Sequence, residues 1–328
     1  MKTWRDLRTW LVLAALAGLV AALVMPPIAR DGETFVTLAV VDITGSMNTH
    51  DVHVAGRPGS RLDLVKAGLK RFLADAPCGS RFGLALFTER RSFLLFEPVE
   101  VCANFAPVTA TINHLDWRMA WQGDSHVATG LFNAIDMAGS VGADLLMFTD
   151  GHQAPPLPPS RPPRFTGEPG KVKGIILGTG GRDLSPIPKY DERGHEIGFY
   201  DQFDVPQESR VGPPPADASS RPGWHPRNAP WGARMIEGNE HLSSVKEDNL
   251  RSLAETTGLV YGHLDNAGTV TGVVQANATR HRVLVQSDVR WIPGSAALLC
   301  FFAVYAVLPL WKRWRSRRWL AFLPTHGV

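Results

Sequence analysis

Short apolar runs recur along this chain, each of strand length or spaced for a helix. FVTLAVVD (35–42) is a continuous apolar run that ends on an acid, the pattern of a strand buried on both faces. SRLDLVKAGLKRFLADA (60–76) places apolar residues at three- and four-residue steps behind Ser60, which predicts an amphipathic helix with a serine N-cap. RFGLALFT (81–88) and SFLLFEPV (92–99) flank the polar turn 89–91 and predict a hairpin. A weaker helix follows over 105–115, then a helix over HVATGLFNAIDMAG (126–139) and a second buried strand, ADLLMFTD (143–150). Beyond a Pro-rich loop (154–170) come the strand KVKGIILGTG (171–180), the helix KEDNLRSLAETTG (246–258) closed by Gly258, and the strand LVYGHL (259–264).

Buried strands alternating with helices predict an α/β fold, a mostly parallel central sheet with helices on both faces. Ligands of such open sheets sit beyond the carboxyl ends of the strands. Asp42 and Asp150 both occupy such ends. They are expected to meet at one edge.

Two further stretches carry no charge. The 21 residues between Arg8 and Arg30 and the 21 between Arg290 and Lys312 are each long enough for a helix to cross a hydrocarbon core. A cleaved leader has a similar composition to the first. The lack of a clean A-x-A site and the presence of Pro26-Pro27 directly behind favour an uncleaved anchor. Trp291 and Trp311 bracket the second stretch as interfacial anchors do. Residues 1–29 carry a net charge of +2 and residues 312–328 carry +5, so the 282 residues between carry −4 of the chain's total of +3. Positive flanks stay in the cytoplasm. The expected order is a cytoplasmic 1–8, a span 9–29, a domain 34–265, a linker 266–290, a span 291–311 and a basic cytoplasmic tail 312–328. In a bacterial inner membrane that topology puts the domain in the periplasm. Its mildly acidic balance argues against a nucleic-acid partner.

The export argument bears on the cysteines. Cys78 precedes the hairpin and Cys102 follows it, each 12 residues from its midpoint near residue 90. Antiparallel pairing brings them opposite each other, and an oxidising compartment permits a disulfide. A one-residue slip in register would leave two thiols facing opposite ways.

The chemistry concentrates in three loops. VVDITGSM supplies Asp42, Thr44 and Ser46, WQGDSHVATGL supplies Ser125 just before a helix, and MFTDG supplies Asp150 at a strand end. The first loop alone reads more simply as an Asx or Ser/Thr turn capping the next helix. Taken together, the three loops resemble the von Willebrand factor type A (VWA) family, whose metal-ion-dependent adhesion site has an Asp-x-Ser-x-Ser loop, a Thr on a second loop and an Asp on a third. Thr44 replaces the first Ser, Ser125 stands where Thr is commoner, and Gly123-Asp124 replaces Gly-Gly. The resemblance implies a divalent cation held by Asp42, Thr44, Ser46, Ser125 and Asp150, with hydroxyls as direct ligands and the aspartates often acting through water. Mg²⁺ suits such a half-hydrated oxygen site best, with Ca²⁺ or Mn²⁺ as alternatives. A partner's carboxylate completes the shell.

GIILGTGGRDLSPIPKYDERGHEIGFYDQF and KEDNLRSLAETTGLVYGHL further resemble bacterial membrane-anchored VWA proteins. These are commonly encoded beside MoxR-type AAA+ ATPases and sister VWA proteins and assist assembly or activation of other proteins. One span at each end of a single VWA domain resembles the methanol-oxidation (Mxa) accessory type. That implies a protein client such as a PQQ-dependent alcohol dehydrogenase, and no catalysis by the chain itself. A metal-dependent hydrolase and an adhesin are alternative uses of the same open site.

Several residues near the loops are candidates for partner contact: Trp117, Trp121, Asp124 and His126. Aromatic anchors beside an ion suit an interface, and core packing is the competing role. His50, His53, His126 and His152 lie in or beside the loops but lack the spacing of a dedicated soft-metal site. The Pro-rich segment 205–235 is too polar for a core element and reads as a surface excursion.

Overall fold

The computed structural model describes residues 7–120, 124–155, 163–205, 207, 214, 216–226, 230–231, 238–311 and 314. The chain divides into two compact units: residues up to Gly32 together with those from Leu284 onward, and Glu33–Val283.

The second unit is built on a six-stranded sheet. Its elements are β1 (Val36–Asp42), α1 (Arg61–Asp75), β2 (Arg81–Thr88), β3 (Arg91–Glu100), α2 (Phe105–Asn113), α3 (Val127–Ser140), β4 (Asp144–Thr149), β5 (Gly174–Gly178), α4 (Glu247–Thr257), β6 (Val260–His263) and α5 (Thr269–Asn277). Strand order is β6-β5-β4-β1-β2-β3, parallel throughout except for the edge strand β3, which returns antiparallel on β2 through the tight turn at Glu89. Asp42 pairs with Phe87 and Val41 with Phe148, so β1, β2 and β4 end level.

Alternation sorts the strand residues onto two faces. Ala39, Val41, Leu84, Leu146 and Phe148 face the buried stripe of α1, with α2 and α5 beside it. Leu38, Val40, Ala85, Leu145 and Met147 face α3 and α4. Helix α1 starts where the sequence puts it, because the Ser60 hydroxyl accepts from the Asp63 N–H while the Asp63 carboxylate accepts from the Ser60 N–H. It stops before Pro77, which cannot continue a helix.

The stretch 266–290, expected as a linker, instead holds α5, whose Val270 and Val274 are buried in the core, and a strand His281–Ser287 paired with Ile28–Thr34. TVTGVVQAN is rich in β-branched residues and glycine, which form helices poorly alone, so only tertiary packing reveals this one. The excursion expected over 205–235 opens earlier. It leaves after Gly181, makes a hairpin of Pro188–Tyr190 with Glu196–Phe199, and returns where Leu242–Ser243 pairs with Ser185–Pro186. Much of 205–235 lies outside the described residues.

The first unit contains two helices long and apolar enough to cross a membrane, Leu7–Val24 and Trp291–Trp311. The first ends at Val24, short of the expected 29, because Pro26-Pro27 stops the helix and the chain then runs extended from Ile28. Gly18 packs against the other helix so closely that a Cβ would lie 3.0 Å from the Pro293 carbonyl and 3.2 Å from Ala297 Cβ. Small residues at such a seam let two apolar helices approach.

Candidate functional site

The carboxyl ends of β1, β2 and β4 carry a polar cluster sunk into the fold. Asp42 is fully buried. Its Oδ1 accepts from the Thr44 N–H at 2.9 Å and the Thr44 hydroxyl at 2.6 Å, and its Oδ2 accepts from the Thr149 hydroxyl at 2.6 Å. Asp150 is also fully buried: Oδ1 accepts from the His152 N–H at 2.9 Å, Oδ2 from Arg61 Nη1 at 2.6 Å and from the Ser243 hydroxyl at 3.1 Å. The Ser46 hydroxyl lies near enough to Asp150 to favour its charged form. Ser125 comes in from the loop before α3, held by exchange of backbone bonds with Ala154 and by the Gln153 amide on its carbonyl at 3.0 Å. Its own hydroxyl is buried and meets no hydrogen-bond partner among the described residues.

Above the two aspartates lies a cavity of about 260 Å³ lined by Thr44, Ser46 and Ser125. The excursion supplies much of its wall, through Ile187, Tyr200, Asp204, Val205 and Glu240. Thus three loops bring the five residues together: Thr44, Ser46 and Ser125 line the cavity, and Asp42 and Asp150 do not.

The electrostatics ask for more positive charge. Burial, then the neighbouring Asp150, pushes Asp42 up to about 7, against the hydrogen bonds from Thr149 and Thr44. Burial pushes Asp150 up too, but the Arg61 guanidinium, His152 and the Ser46 hydroxyl outweigh it and hold that carboxyl below its ordinary range. Arg61 is itself fully buried, bonded to Asp51 at 2.6 Å as well as to Asp150. Three carboxylates against one guanidinium leave the cluster two positive charges short of neutral. A proton on Asp42 makes up one of them. A divalent cation would make up both, and hydroxyl, carboxylate and water oxygens are its natural donors. The Ser125 hydroxyl, buried and without a partner among the described residues, on a residue that lines the same cavity, fits that donor set. Thr44, Ser46 and Ser125 could hold such an ion directly, with Asp42 and Asp150 behind.

The partner-contact candidates fare differently. Asp124 is half-buried and lines the cavity, 4.0 Å from Arg90. Trp117 does not line it: the ring is half-buried and stacks on Tyr190 of the excursion with centroids 4.9 Å apart. Trp121 lies outside the described residues. His126 is buried, with Nδ1 accepting from the Gln153 amide at 3.0 Å, and burial with Arg90 lowers its proton affinity. It is therefore not an exposed loop histidine. His152 is buried as well, 3.1 Å from Glu240, while His50 and His53 are exposed. The imidazoles do not gather. Among the described residues the one tight group of His, Cys, Asp and Glu ligand atoms is Cys78, Glu100 and Cys102, and its two sulfurs are joined in a disulfide with Cα atoms 5.3 Å apart.

Arg61, Asp51, Thr149, Ser243 and Glu240 went unnoticed in the sequence. Arg61 looks like one more charge in the first turn of an amphipathic helix. Only the long-range pairings, 89 residues to Asp150 and 182 to Ser243, show where it goes.

Residues 37–153 match the von Willebrand factor type A domain. An aerotolerance-related membrane protein of Bacteroides fragilis, solved with multiple mutations to serine, is similar over 74% of this chain and 97% of its own, at 15% identity and a TM-score of 0.45. The conserved hypothetical protein BatB of Bacteroides thetaiotaomicron is similar over 74% and 96%, at 14% identity and a TM-score of 0.45. An uncharacterised membrane-spanning protein of Vibrio fischeri is similar over 74% and 97%, at 18% identity and a TM-score of 0.27. No curated protein matches. The family match spans 37–153, and the sheet of Glu33–Val283 has the mostly parallel order of the VWA fold.

Proposed function

We propose that this VWA domain, anchored by two membrane spans, binds a divalent cation at the cavity floor and uses it to hold a protein client. The observation that carries the reading is the charge deficit beside three hydroxyl residues that line the cavity, one with a buried hydroxyl that meets no partner among the described residues. Mg²⁺ is the expected ion, with Ca²⁺ or Mn²⁺ as substitutes. The basic flanks of the spans support a two-pass topology in a bacterial inner membrane with the domain in the periplasm. The likeness of 174–203 and 246–264 to membrane-anchored VWA proteins supports a role in assembly, metal loading or activation. The client would be a periplasmic enzyme of the PQQ alcohol dehydrogenase kind, with a MoxR-type ATPase and sister VWA proteins as partners. The chain itself performs no covalent step in this reading. Among the described residues no hydroxyl of the face is paired with a histidine that could activate it.

The test uses the full chain in nanodiscs. Calorimetric titration should show one saturable Mg²⁺ site, absent in Asp42→Ala, and a client captured from membranes should be released by EDTA. Undiminished Mg²⁺ affinity in Asp42→Ala would overturn the site. Metal-dependent turnover of a defined substrate, abolished by Asp150→Ala, would replace the binding role with an enzymatic one.

A further inference from the structure

A fully buried guanidinium beside a candidate cation site needs a reason. Arg61 does not fill a gap that an apolar side chain could not fill more cheaply, since buried ion pairs repay their desolvation poorly. What it does is join two carboxylates. Nε and Nη2 take Asp51 in a fork, at 3.0 and 2.6 Å, and Nη1 takes Asp150 at 2.6 Å. Its remaining donors reach the hydroxyl and carbonyl of Ser243, at 2.8 and 3.1 Å. The backbone is shaped around it. Gly180 lies at φ +123°, where a Cβ would collide with the guanidinium, and the Gly181 N–H donates to Asp51 at 2.9 Å. Asp150 is thereby engaged at Oδ2 before any ion arrives, while its Oδ1 accepts from the His152 N–H.

We propose that Arg61 is a positioning residue for the cation: a built-in countercharge that restrains Asp150 and keeps divalent binding weak enough to be reversible. The proposal rests on the cation reading of the face. A fixed positive charge bonded to one of the site's two carboxylates opposes an arriving divalent ion, and in a buried cluster that opposition is weakly screened. Asp51 sets its size. By sharing the guanidinium it leaves Asp150 part of its negative charge for the ion. Arg61 and Asp51 therefore act on ion affinity with opposite signs, although both stabilise the fold. A purely structural role makes no such distinction.

The experiment measures Mg²⁺ affinity by calorimetry, and melting temperature in EDTA, for the full chain in nanodiscs. Arg61→Gln is expected to melt lower without metal yet bind Mg²⁺ about tenfold more tightly or better. Asp51→Asn is expected to bind it several-fold more weakly. Arg61→Lys, which keeps the charge but not the fork, should stay within a few-fold of the parent. Unchanged or weaker binding in Arg61→Gln overturns the proposal, as does unchanged or tighter binding in Asp51→Asn, which serves as the deciding variant should Arg61→Gln fail to fold. If the parent chain binds no Mg²⁺, the cation reading falls and takes this proposal with it. Mg²⁺ binding that ignores both substitutions overturns the role of Arg61 alone.

Discussion

The two ends of the central sheet follow opposite rules. At the amino ends of β1 and β2 the polar groups are neighbours in pairs. The Phe35 N–H donates to the Ser80 hydroxyl at 3.2 Å, the Val101 N–H to the Ser80 carbonyl at 2.9 Å, and the Glu100 carboxylate accepts from Gly79 and Ala103. A disulfide between Cys78 and Cys102 closes the hairpin there. At the carboxyl ends, two fully buried carboxylates and a fully buried guanidinium share a small volume. The first end gathers contacts that stabilise the fold. The second keeps charge that the metal-free fold would do better without, which is the mark of a region arranged for a ligand.

The largest effect expected from this contrast is a dependence of metal-free stability on pH. Asp42 titrates near 7 in the fold against about 4 in an unfolded chain, so the fold holds its proton more tightly. The corresponding stability is fully present below about pH 4 and is lost as pH rises through 7. Three pH units correspond to roughly 4 kcal/mol. Asp150 works in the other direction: its depressed value contributes stability above about pH 4 that disappears in stronger acid, outside this window. Melting in EDTA should therefore occur at falling temperatures from pH 5 to pH 8, and saturating Mg²⁺ should flatten the curve. Asp42→Asn should flatten it without metal. A parent chain with no slope across this range would show that the carboxyl ends carry no unbalanced charge, and the comparison of the two ends would fail.

At the opposite end the disulfide closes a loop of 24 residues' separation, which corresponds to about 3 kcal/mol. Replacing both cysteines with serine should lower the melting temperature by roughly 6–12 °C for a domain of this size. Mg²⁺ affinity should stay within twofold, because the bridge lies at the far end of β2 from the candidate ligands. An affinity loss matching the loss of stability would mean that the two ends are not separate in function.

How much of this was legible beforehand follows the same division. Every sheet strand and the helices α1 to α4 show in the sequence because each buries a periodic or continuous apolar run, which is a local property. So does the meeting of Asp42 and Asp150, which end adjacent parallel strands; Thr44, Ser46 and Ser125 joined them as candidates through the likeness of their loops to the VWA family. Helix α5 is hidden because its residues favour helix only once Val270 and Val274 are packed. Arg61 and Asp51 are hidden because a charge in a first helical turn and a charge in a loop look solvated. The cavity wall is hidden because Ile187, Tyr200 and Glu240 belong to an excursion without periodicity, positioned by strands of two to four residues. Trp117 misled for a related reason: its stacking partner Tyr190 is 73 residues away, on that same excursion.

The smallest expected effect is the most specific. Ser125 holds a buried hydroxyl that meets no partner among the described residues, and an unsatisfied buried polar group costs about 1–3 kcal/mol. Its backbone bonds to Ala154 and to the Gln153 amide do not involve that hydroxyl, so removing it leaves the loop tied down. Ser125→Ala should therefore leave the metal-free stability unchanged or raise it slightly, by no more than about 1 kcal/mol. The same change should weaken Mg²⁺ binding by tenfold or more if the hydroxyl is a direct ligand. Ser92→Ala is the control, since the Ser92 hydroxyl is buried on β3 and already donates to the Gly130 carbonyl at 3.0 Å. It should cost stability, by about 1 kcal/mol, and leave Mg²⁺ affinity alone. If Ser125→Ala destabilises the metal-free domain and spares ion binding, the lone hydroxyl is part of the scaffold, and the carboxyl ends of the sheet are less purely arranged for a ligand than their charges suggest.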